Sequence, residues 1–351
     1  MTQKILFKPI DSKVRSIGRT CLDANYTRWL GLSGSGVEFV VSKGSVSVSL
    51  VADSMYVSEP HRARFAVYVN DKLIVDRVLD EPEYVVTHEG FNDSYTVRVI
   101  KVSECAQSTI GISSITVESG AEVTPTLHKD KLIEFIGDSI TCGYGVDNED
   151  PTSKFTTATE DFRKSYAYLT AKALNCDYSM VSYSGYGIIS GYTESDTPHP
   201  DILPPIYDKV GWSMGTSGDF SISNIKWDFS KEPDIVVINL GTNDATYVKD
   251  HVNRADLFST KYVEFLKVVR SKYPNAPIIC SLGIMGDSLY PAVVKAVRLY
   301  AEETLDNNIS SIKFDVQKPE DGYSTGYHPT HKTYIKASKL LTDYIIENIK
   351  Y

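Results

Sequence analysis

The stretch LIEFIGDSITCGYG, residues 132–145, decides how this sequence is interpreted. Its first five residues, Leu132 to Ile136, form a short and mostly apolar run, which is typical of a strand buried on both faces of a parallel sheet. Gly137 permits a tight turn after the strand, so that Ser139 stands at its carboxyl end. In doubly wound sheets the reactive groups collect beyond the carboxyl ends of the strands. The stretch therefore predicts a parallel α/β sheet that presents a serine.

Downstream of this stretch, more short apolar runs alternate with helical patterns. Strand alternating with helix indicates a parallel sheet covered on both faces. We therefore predict an α/β domain with a five-stranded parallel sheet over residues 129–351. Its further strands are expected at 178–183, 235–240, 277–282 and 312–316, and its clearest helices at 258–269, 293–305 and 334–345.

Upstream of residue 129, the sequence has strand character and no convincing helical period. Between residues 46 and 50, valine and leucine alternate with serine, which is the period of a half-buried strand. The runs RFAVYV and LIVDRVL, within residues 63–79, flank Asn70-Asp71 and predict a β-hairpin. Many short strands separated by turn residues indicate a β-sandwich or jelly roll. We assign this all-β domain to residues 1–128.

Composition excludes several classes of protein. The 351 residues include 36 Lys and Arg against 45 Asp and Glu, a formal charge of −9, which disfavours nucleic acid and anionic membrane surfaces as partners. No apolar run approaches the about 18 residues of a membrane span. The five cysteines show no CxxC pair, which argues against a disulfide framework and a metal site. The N-terminus lacks an apolar signal region, so we expect a cytoplasmic protein, or a secreted one if the N-terminus was trimmed.

Three further loops carry groups that suit acyl transfer. Gly185 and Asn243 each follow a predicted strand, and His328 lies just ahead of the last helix. A serine hydroxyl needs a base to accept its proton, and the developing oxyanion needs preorganised donors. We predict Ser139 as the nucleophile and His328 as the base. The predicted oxyanion donors are the Ser139 N–H, the Gly185 N–H and the Asn243 side-chain amide, with Asp138 bracing the turn.

Each of these assignments has a competitor in the sequence. Gly187 is a second candidate donor beside Gly185, and His331 is a second histidine of the same loop as His328. A G-x-S-x-G motif at 211–215 offers Ser213 as a rival nucleophile. That motif requires a strand before it and a helix after it, whereas its flanks here have loop character. We therefore expect Ser213 not to act.

In combination, the four loops resemble the SGNH (GDSL-like) hydrolases, whose motifs occur in this order. The matching motifs are GDSIT at 137–141, SGYG at 184–187, GTND at 241–244 and HP at 328–329. The segments GRTCLD at 18–23, WLGLSGSGVEF at 29–39 and ARFAVYV at 63–69, and the run leading into GTND, further resemble carbohydrate esterase family 2. The resemblance covers nearly the whole chain. It implies a jelly roll ahead of a flavodoxin-like domain and an acetylxylan esterase-like activity on plant polysaccharide or oligosaccharide, without metal or organic cofactor.

The resemblance also carries one departure. SGNH hydrolases usually have an aspartate three residues before the histidine, and this sequence has Thr325 there. Some family 2 esterases work as Ser–His dyads in which a backbone carbonyl holds the imidazole, and we favour that arrangement here. Asp321 or Asp315 is the supporting acid if the loop folds back. Tyr327 stands where family members line the sugar pocket with an aromatic residue, and Trp212 is a second candidate substrate contact.

Two other functions stay open. One alternative is a lipase or lysophospholipase of the wider SGNH class, although the sequence shows no amphipathic lid and has a β-domain, which both argue against it. Alternatively the chain is a carbohydrate-binding protein with a decayed esterase domain, because Thr325 replaces the usual acid. The expected partner is an acetylated oligo- or polysaccharide, and the sequence leaves a homo-oligomer open.

Overall fold

The computed structural model describes residues 3–349, which group into two units. The first unit is the chain up to Lys129 together with Thr156–Glu160 and Lys209–Trp227. The second unit is Asp130–Phe155, Asp161–Asp208 and the chain from Asp228 onward. Two short segments of the later sequence thus belong to the first unit, a grouping that hydrophobic periodicity does not reveal.

The first unit is built from antiparallel strands. Its strands are β1 (Lys4–Phe7), β2 (Arg15–Ile17), β3 (Thr20–Leu22), β4 (Arg28–Leu30), β5 (Gly36–Val41), β6 (Gly44–Ala52), β7 (Arg64–Val69), β8 (Lys72–Val78), β9 (Glu83–Phe91), β10 (Tyr95–Lys101), β11 (Ile110–Glu118) and β12 (Val123–Pro125). One sheet has the order β3-β4-β11-β6-β9, with β1 also on β11, and the other has the order β12-β5-β10-β7-β8, with β2 also on β5.

The two sheets enclose one apolar core, as in a β-sandwich. Valines, leucines and isoleucines from β5, β6, β7, β10 and β11 are buried together in it. Along β6, residues Val46, Val48 and Leu50 are buried and the serines between them are half-buried, which confirms the predicted alternation. The predicted hairpin is confirmed as β7 and β8, joined by Asn70 and Asp71 in the left-handed region. Asparagine and aspartate tolerate that region better than other non-glycine residues.

The second unit is an α/β layer structure, as predicted. Its strands are β13 (Leu132–Gly137), β14 (Asp177–Ser182), β15 (Ile235–Asn239), β16 (Ile278–Leu282) and β17 (Ile309–Lys313), all parallel in the order β14-β13-β15-β16-β17. Its helices are α1 (Ser139–Cys142), α2 (Tyr166–Ala173), α3 (Thr242–Val248), α4 (Val252–Lys272), α5 (Tyr290–Thr304) and α6 (His331–Asn348). A short antiparallel pair, β18 (Tyr323–Ser324) and β19 (His328–Pro329), precedes α6.

One predicted strand is displaced. We expected the last strand at 312–316, whereas β17 covers Ile309–Lys313. As an edge strand, β17 is only half-buried and contains Ser310 and Ser311, so its apolar signal is weak. The stronger apolar signal comes from Phe314, which is buried beyond the end of the strand.

The central strand sets the position of the candidate site. Gly137, the last residue of β13, is the register partner of both Ser182 at the end of β14 and Asn239 at the end of β15. The loops that follow these three strands therefore leave the sheet at the same level. Within residues 3–349, no helix has both the length and the apolar character that crossing a bilayer requires.

Candidate active site

Ser139 is the first residue of α1 and lies two residues after the end of β13. Asp138 caps this helix, because its Oδ1 accepts the Ile140 N–H at 3.0 Å. The Asp138 carbonyl also accepts the N–H groups of Thr141 and Cys142. Because these bonds fix the turn, the Ser139 side chain is held at the carboxyl end of the sheet. Burial raises the pKa of Asp138 to about 7, with Asp244 nearby adding to the effect.

Ser139 and His328 are in direct contact. The Nε2 atom of His328 lies 2.8 Å from Ser139 Oγ. His328 begins β19, and the turn that joins β18 to β19 has Gly326 at φ 63° and Tyr327 at φ 59°. Two consecutive left-handed residues fold this turn back towards its own histidine. The nucleophile and base predicted from the sequence are thus within hydrogen-bond reach of each other.

Backbone carbonyls hold the other side of the imidazole. His328 Nδ1 lies 3.1 Å from the Thr325 carbonyl oxygen and 3.2 Å from that of Gly326. Because a carbonyl only accepts, Nδ1 carries the hydrogen and the Nε2 lone pair faces Ser139. Burial lowers the pKa of His328 to about 4, and the two carbonyls offset that effect only in part. At neutral pH the imidazole is therefore an unprotonated base.

No carboxylate among residues 3–349 is hydrogen-bonded to His328. Asp321 is buried, but its oxygens lie 2.7 and 2.6 Å from Lys336 Nζ. Asp315 is exposed on the protein surface. At the position of the usual acid, the Thr325 side chain bonds to Ser153, with 2.7 Å between the two hydroxyl oxygens. Backbone carbonyls, and not a carboxylate, therefore lie against Nδ1, which is the geometry that the predicted Ser–His dyad requires.

Hydrogen bonding in the glycine-rich loop after β14 distinguishes the two candidate oxyanion donors, Gly185 and Gly187. The Gly187 N–H donates to the Asp201 carbonyl at 3.2 Å and is therefore engaged. Gly185 is in the left-handed region at φ 82°, with open space where a side chain would stand. Within residues 3–349, the N–H groups of Gly185 and Ser139 have no hydrogen-bond acceptor. Both are therefore available to a ligand oxygen, whereas the N–H of Gly187 is not.

Asn243 lies in the first turn of α3, four residues after the end of β15. Its Nδ2 donates to the Tyr186 carbonyl at 2.8 Å and lies 3.4 Å from Asp138 Oδ2. The first bond orients the amide, and the second is at the limit of a hydrogen bond. The remaining N–H of Asn243 is consequently only weakly engaged.

Comparison with known proteins fits this geometry. The family model for GDSL-like Lipase/Acylhydrolase matches residues 133–341, more than half of the chain. This chain belongs to the GDSL-like lipase/acylhydrolase family. The matched region of this GDSL-like hydrolase begins in β13 and ends in α6, so it includes Ser139, Asn243 and His328.

Three similar proteins extend the comparison. The cellulase/esterase CelE of Acetivibrio thermocellus is 34% identical over 222 residues, which cover 61% of this chain and 25% of CelE. An acetylxylan esterase/glucomannan deacetylase of Cellvibrio japonicus is 22% identical over 340 residues, covering 95% of this chain and 88% of that protein. The structure of a family two carbohydrate esterase from Clostridium thermocellum in complex with cellohexaose matches with TM-score 0.81 and 25% identity, covering 96% of this chain and 99% of the other.

Asp244 is a site residue of this GDSL-like hydrolase that the sequence analysis missed. Its carboxylate accepts the N–H groups of Ile188, Ile189 and Ser190 at 2.7–3.1 Å. Burial raises the pKa of Asp244 to about 6, and these backbone donors partly oppose the shift. The carboxylate thereby fastens the loop that carries Gly185 to the start of α3. Its place in the GTND motif was the available signal, but the motif does not show which loop it binds.

Tyr144 is a second missed residue. Its ring stacks on the imidazole of His328, with 4.2 Å between the ring centroids and 29° between the planes. On its other side it stacks on Phe155 at 4.0 Å and 11°. Tyr144 belongs to the stretch LIEFIGDSITCGYG, but nothing in the spacing of that stretch places its ring against a residue so distant in sequence.

The remaining predicted residues are Tyr327, Trp212 and Ser213. Tyr327 is 58% exposed and immediately precedes His328 in the sequence. Trp212 and Ser213 belong to Lys209–Trp227 of the first unit. Residues 210–216 form neither strand nor helix, so the G-x-S-x-G motif lacks the flanking elements of a nucleophile elbow, as predicted.

Proposed function

We propose that this chain is a carbohydrate O-acetyl esterase that removes acetyl groups from acetylated plant polysaccharide or oligosaccharide by Ser–His acyl transfer. The observation that carries the proposal is the 2.8 Å contact between Ser139 Oγ and His328 Nε2, with Nδ1 held by two carbonyls. The names of the similar proteins support the substrate class. One is a cellulase/esterase, another an acetylxylan esterase/glucomannan deacetylase, and the solved relative is in complex with cellohexaose.

In the first half of the reaction, Ser139 Oγ attacks the acetyl carbonyl while His328 Nε2 takes the hydroxyl proton. The carbonyl oxygen becomes an oxyanion and is stabilised by the N–H groups of Ser139 and Gly185 and the amide of Asn243. Collapse breaks the bond to the sugar oxygen, which receives the proton from Nε2. The sugar hydroxyl leaves, and Ser139 retains the acetyl group.

In the second half, a water molecule replaces the sugar. His328 Nε2 takes one proton of this water as its oxygen attacks the acetyl carbonyl, and the same donors stabilise the second oxyanion. Collapse releases acetic acid, which keeps the second proton of the water until it ionises to acetate in solution, and His328 returns the first proton to Ser139 Oγ. The base stays in the correct tautomer throughout, because the carbonyls of Thr325 and Gly326 keep the hydrogen on Nδ1.

The substrate contacts follow the same proposal. The exposed ring of Tyr327 offers a flat apolar face of the kind on which a sugar ring stacks. Trp212 stays a predicted contact on sequence grounds alone.

The test is acetate release from acetylated xylan and glucomannan oligosaccharides, compared with 4-nitrophenyl acetate and a long-chain 4-nitrophenyl ester. We expect turnover of the acetylated sugars and of the short ester, and loss of about 10³-fold or more in Ser139→Ala. The control is Ser213→Ala, the serine of the rival motif, which we expect to retain activity. A preference for the long-chain ester indicates a lipase, and sugar binding without turnover indicates a decayed esterase. Either result contradicts the proposal.

A further inference from the structure

Among residues 3–349, the Ser–His pair lacks a carboxylate that would stabilise His328 when its imidazole is protonated. When Ser139 attacks, the imidazole of the half-buried His328 becomes a cation. In a triad, a carboxylate stabilises that cation. Here the groups on Nδ1 are neutral carbonyls, which fix the tautomer but supply only a dipole. The site therefore needs a further source of stabilisation for the charged ring.

The ring of Tyr144, which stacks on the imidazole of His328, can stabilise the charged ring. The Tyr144 ring lies nearly parallel to it at 4.2 Å between centroids, within the distance at which an aromatic face attracts a cation. Phe155 packs on the opposite face of Tyr144 at 4.0 Å, so the tyrosine ring is held between two others and stays in register with His328. The attraction exists only when the imidazole is charged, that is, during the attack.

Asn148 and Pro151, which lie close to Tyr144 in sequence, form hydrogen bonds with the backbone that presents carbonyls to His328. The Gly326 N–H donates to the Pro151 carbonyl at 3.0 Å, and the other end of that peptide group is the Thr325 carbonyl that accepts from His328. The Thr325 N–H donates to the Asn148 carbonyl at 3.0 Å. A peptide group bonded at both ends is polarised further, which strengthens its carbonyl as an acceptor. Residues 144–155 thus contact the catalytic histidine through a ring and through its carbonyl partners.

We propose that Tyr144 is a positioning residue whose ring face stabilises the imidazolium form of His328 and so supplies part of what the missing aspartate supplies in a triad. This rests on the proposed Ser–His chemistry and goes beyond it, because it assigns the stabilisation to a residue that acts through its stacking contact with His328. The ring face, and not the hydroxyl, is the active feature.

The test is a series of substitutions at position 144. Tyr144→Phe keeps the ring, Tyr144→Leu keeps apolar volume without a π-face, and pentafluorophenylalanine keeps the shape of phenylalanine with the polarity of its face reversed. Two rates are measured: kcat on 4-nitrophenyl acetate and the rate at which a fluorophosphonate labels Ser139. Thermal unfolding checks each fold. The matched control is Tyr168→Leu, since Tyr168 is also half-buried and its ring packs on Phe162 and Tyr178.

We expect Tyr144→Phe to stay within about twofold of wild type, and Tyr144→Leu and the pentafluoro variant to lose about 5–30-fold in kcat and in labelling with KM within about twofold. Tyr168→Leu should keep its activity. Equal rates for the phenylalanine and pentafluorophenylalanine variants would overturn the inference, because those two differ only in the polarity of the ring face. Labelling of Ser139 without turnover of acetylated sugars refutes the proposed substrate, while the labelling ratios still decide the role of Tyr144. Absence of labelling at Ser139 contradicts both.

Discussion

The carboxylate of Asp321 forms an ion pair with Lys336, with 2.6 Å between Oδ2 and Nζ, and is thereby directed to helix α6 instead of to His328. Asp321 is the nearest acid in sequence before His328. Its engagement elsewhere leaves the imidazole to the carbonyls of Thr325 and Gly326.

This pairing predicts that Asp321→Ala retains esterase activity. We expect kcat within about threefold of wild type, because no catalytic contact is lost, whereas His328→Ala loses about 10³-fold or more. Lys336→Met serves as the matched control, since it breaks the same ion pair from the other side. Steady-state kinetics on 4-nitrophenyl acetate measure all three variants. A loss of about 10³-fold in Asp321→Ala would show that an acid completes a triad.

The low pKa of His328 predicts an unusual acid limb in the pH–rate profile. Only the neutral imidazole accepts the Ser139 proton, and burial keeps it neutral down to about pH 4. We therefore expect kcat/KM to stay level from neutral pH to about pH 5 and to decline below it as the ring protonates. Acetate release over this range, with circular dichroism confirming the fold at each pH, measures the limb. A midpoint near 6.5, the value for a solvated histidine, is the contrary result.

The hydrogen bonds of Asp244 predict that its substitution lowers both the stability of the protein and its catalytic rate. Removing its carboxylate in Asp244→Ala leaves the N–H groups of Ile188, Ile189 and Ser190 without their acceptor in a buried setting. We expect the free energy of unfolding to drop by roughly 1–3 kcal/mol and kcat to fall, because the loop that carries Gly185 loosens. Asp244→Asn keeps one acceptor oxygen and should lose less of both. Urea unfolding and steady-state kinetics give the comparison, and an unchanged unfolding free energy in Asp244→Ala refutes the anchoring role.

The raised pKa of Asp138 predicts that the difference in unfolding free energy between Asp138→Asn and the wild type depends on pH. In the folded protein this carboxyl holds its proton up to about pH 7, whereas in the unfolded chain it loses the proton near 3.8. The folded state thus binds more protons between these values, so the contribution of Asp138 to the unfolding free energy falls as pH rises. Asp138→Asn keeps a side-chain oxygen for the Ile140 N–H and has no charge to bury. Its unfolding free energy relative to wild type should rise between about pH 4 and pH 7, and a constant difference would contradict this reading.

Much of the site was predictable because it depends on strand ends. Short apolar runs fix where β13, β14 and β15 stop, and residues just beyond parallel strands must meet at one edge of the sheet. The motif residues Ser139, Gly185 and Asn243 follow those ends by two, three and four residues. The choice between Gly185 and Gly187, in contrast, needed the structure, since it depends on the bond from Gly187 to the Asp201 carbonyl.

The partners of His328 were less predictable. The sequence shows that Thr325 is not an acid, but the use of both the Thr325 and Gly326 carbonyls follows from left-handed conformations at Gly326 and Tyr327. A left-handed tyrosine has no sequence signature. The stack of Tyr144 on His328 joins residues far apart in the chain, and local patterns carry no information on such contacts.

Labelling of the wild-type protein with a fluorophosphonate, followed by peptide mass spectrometry, identifies the nucleophile that Ser139 and His328 are proposed to form. We expect a single modified serine, Ser139, in the wild type and no labelling in His328→Ala, because the hydroxyl at 2.8 Å from Nε2 is a nucleophile only while that base accepts its proton. Modification of Ser213, or labelling of Ser139 that persists in His328→Ala, would contradict this assignment.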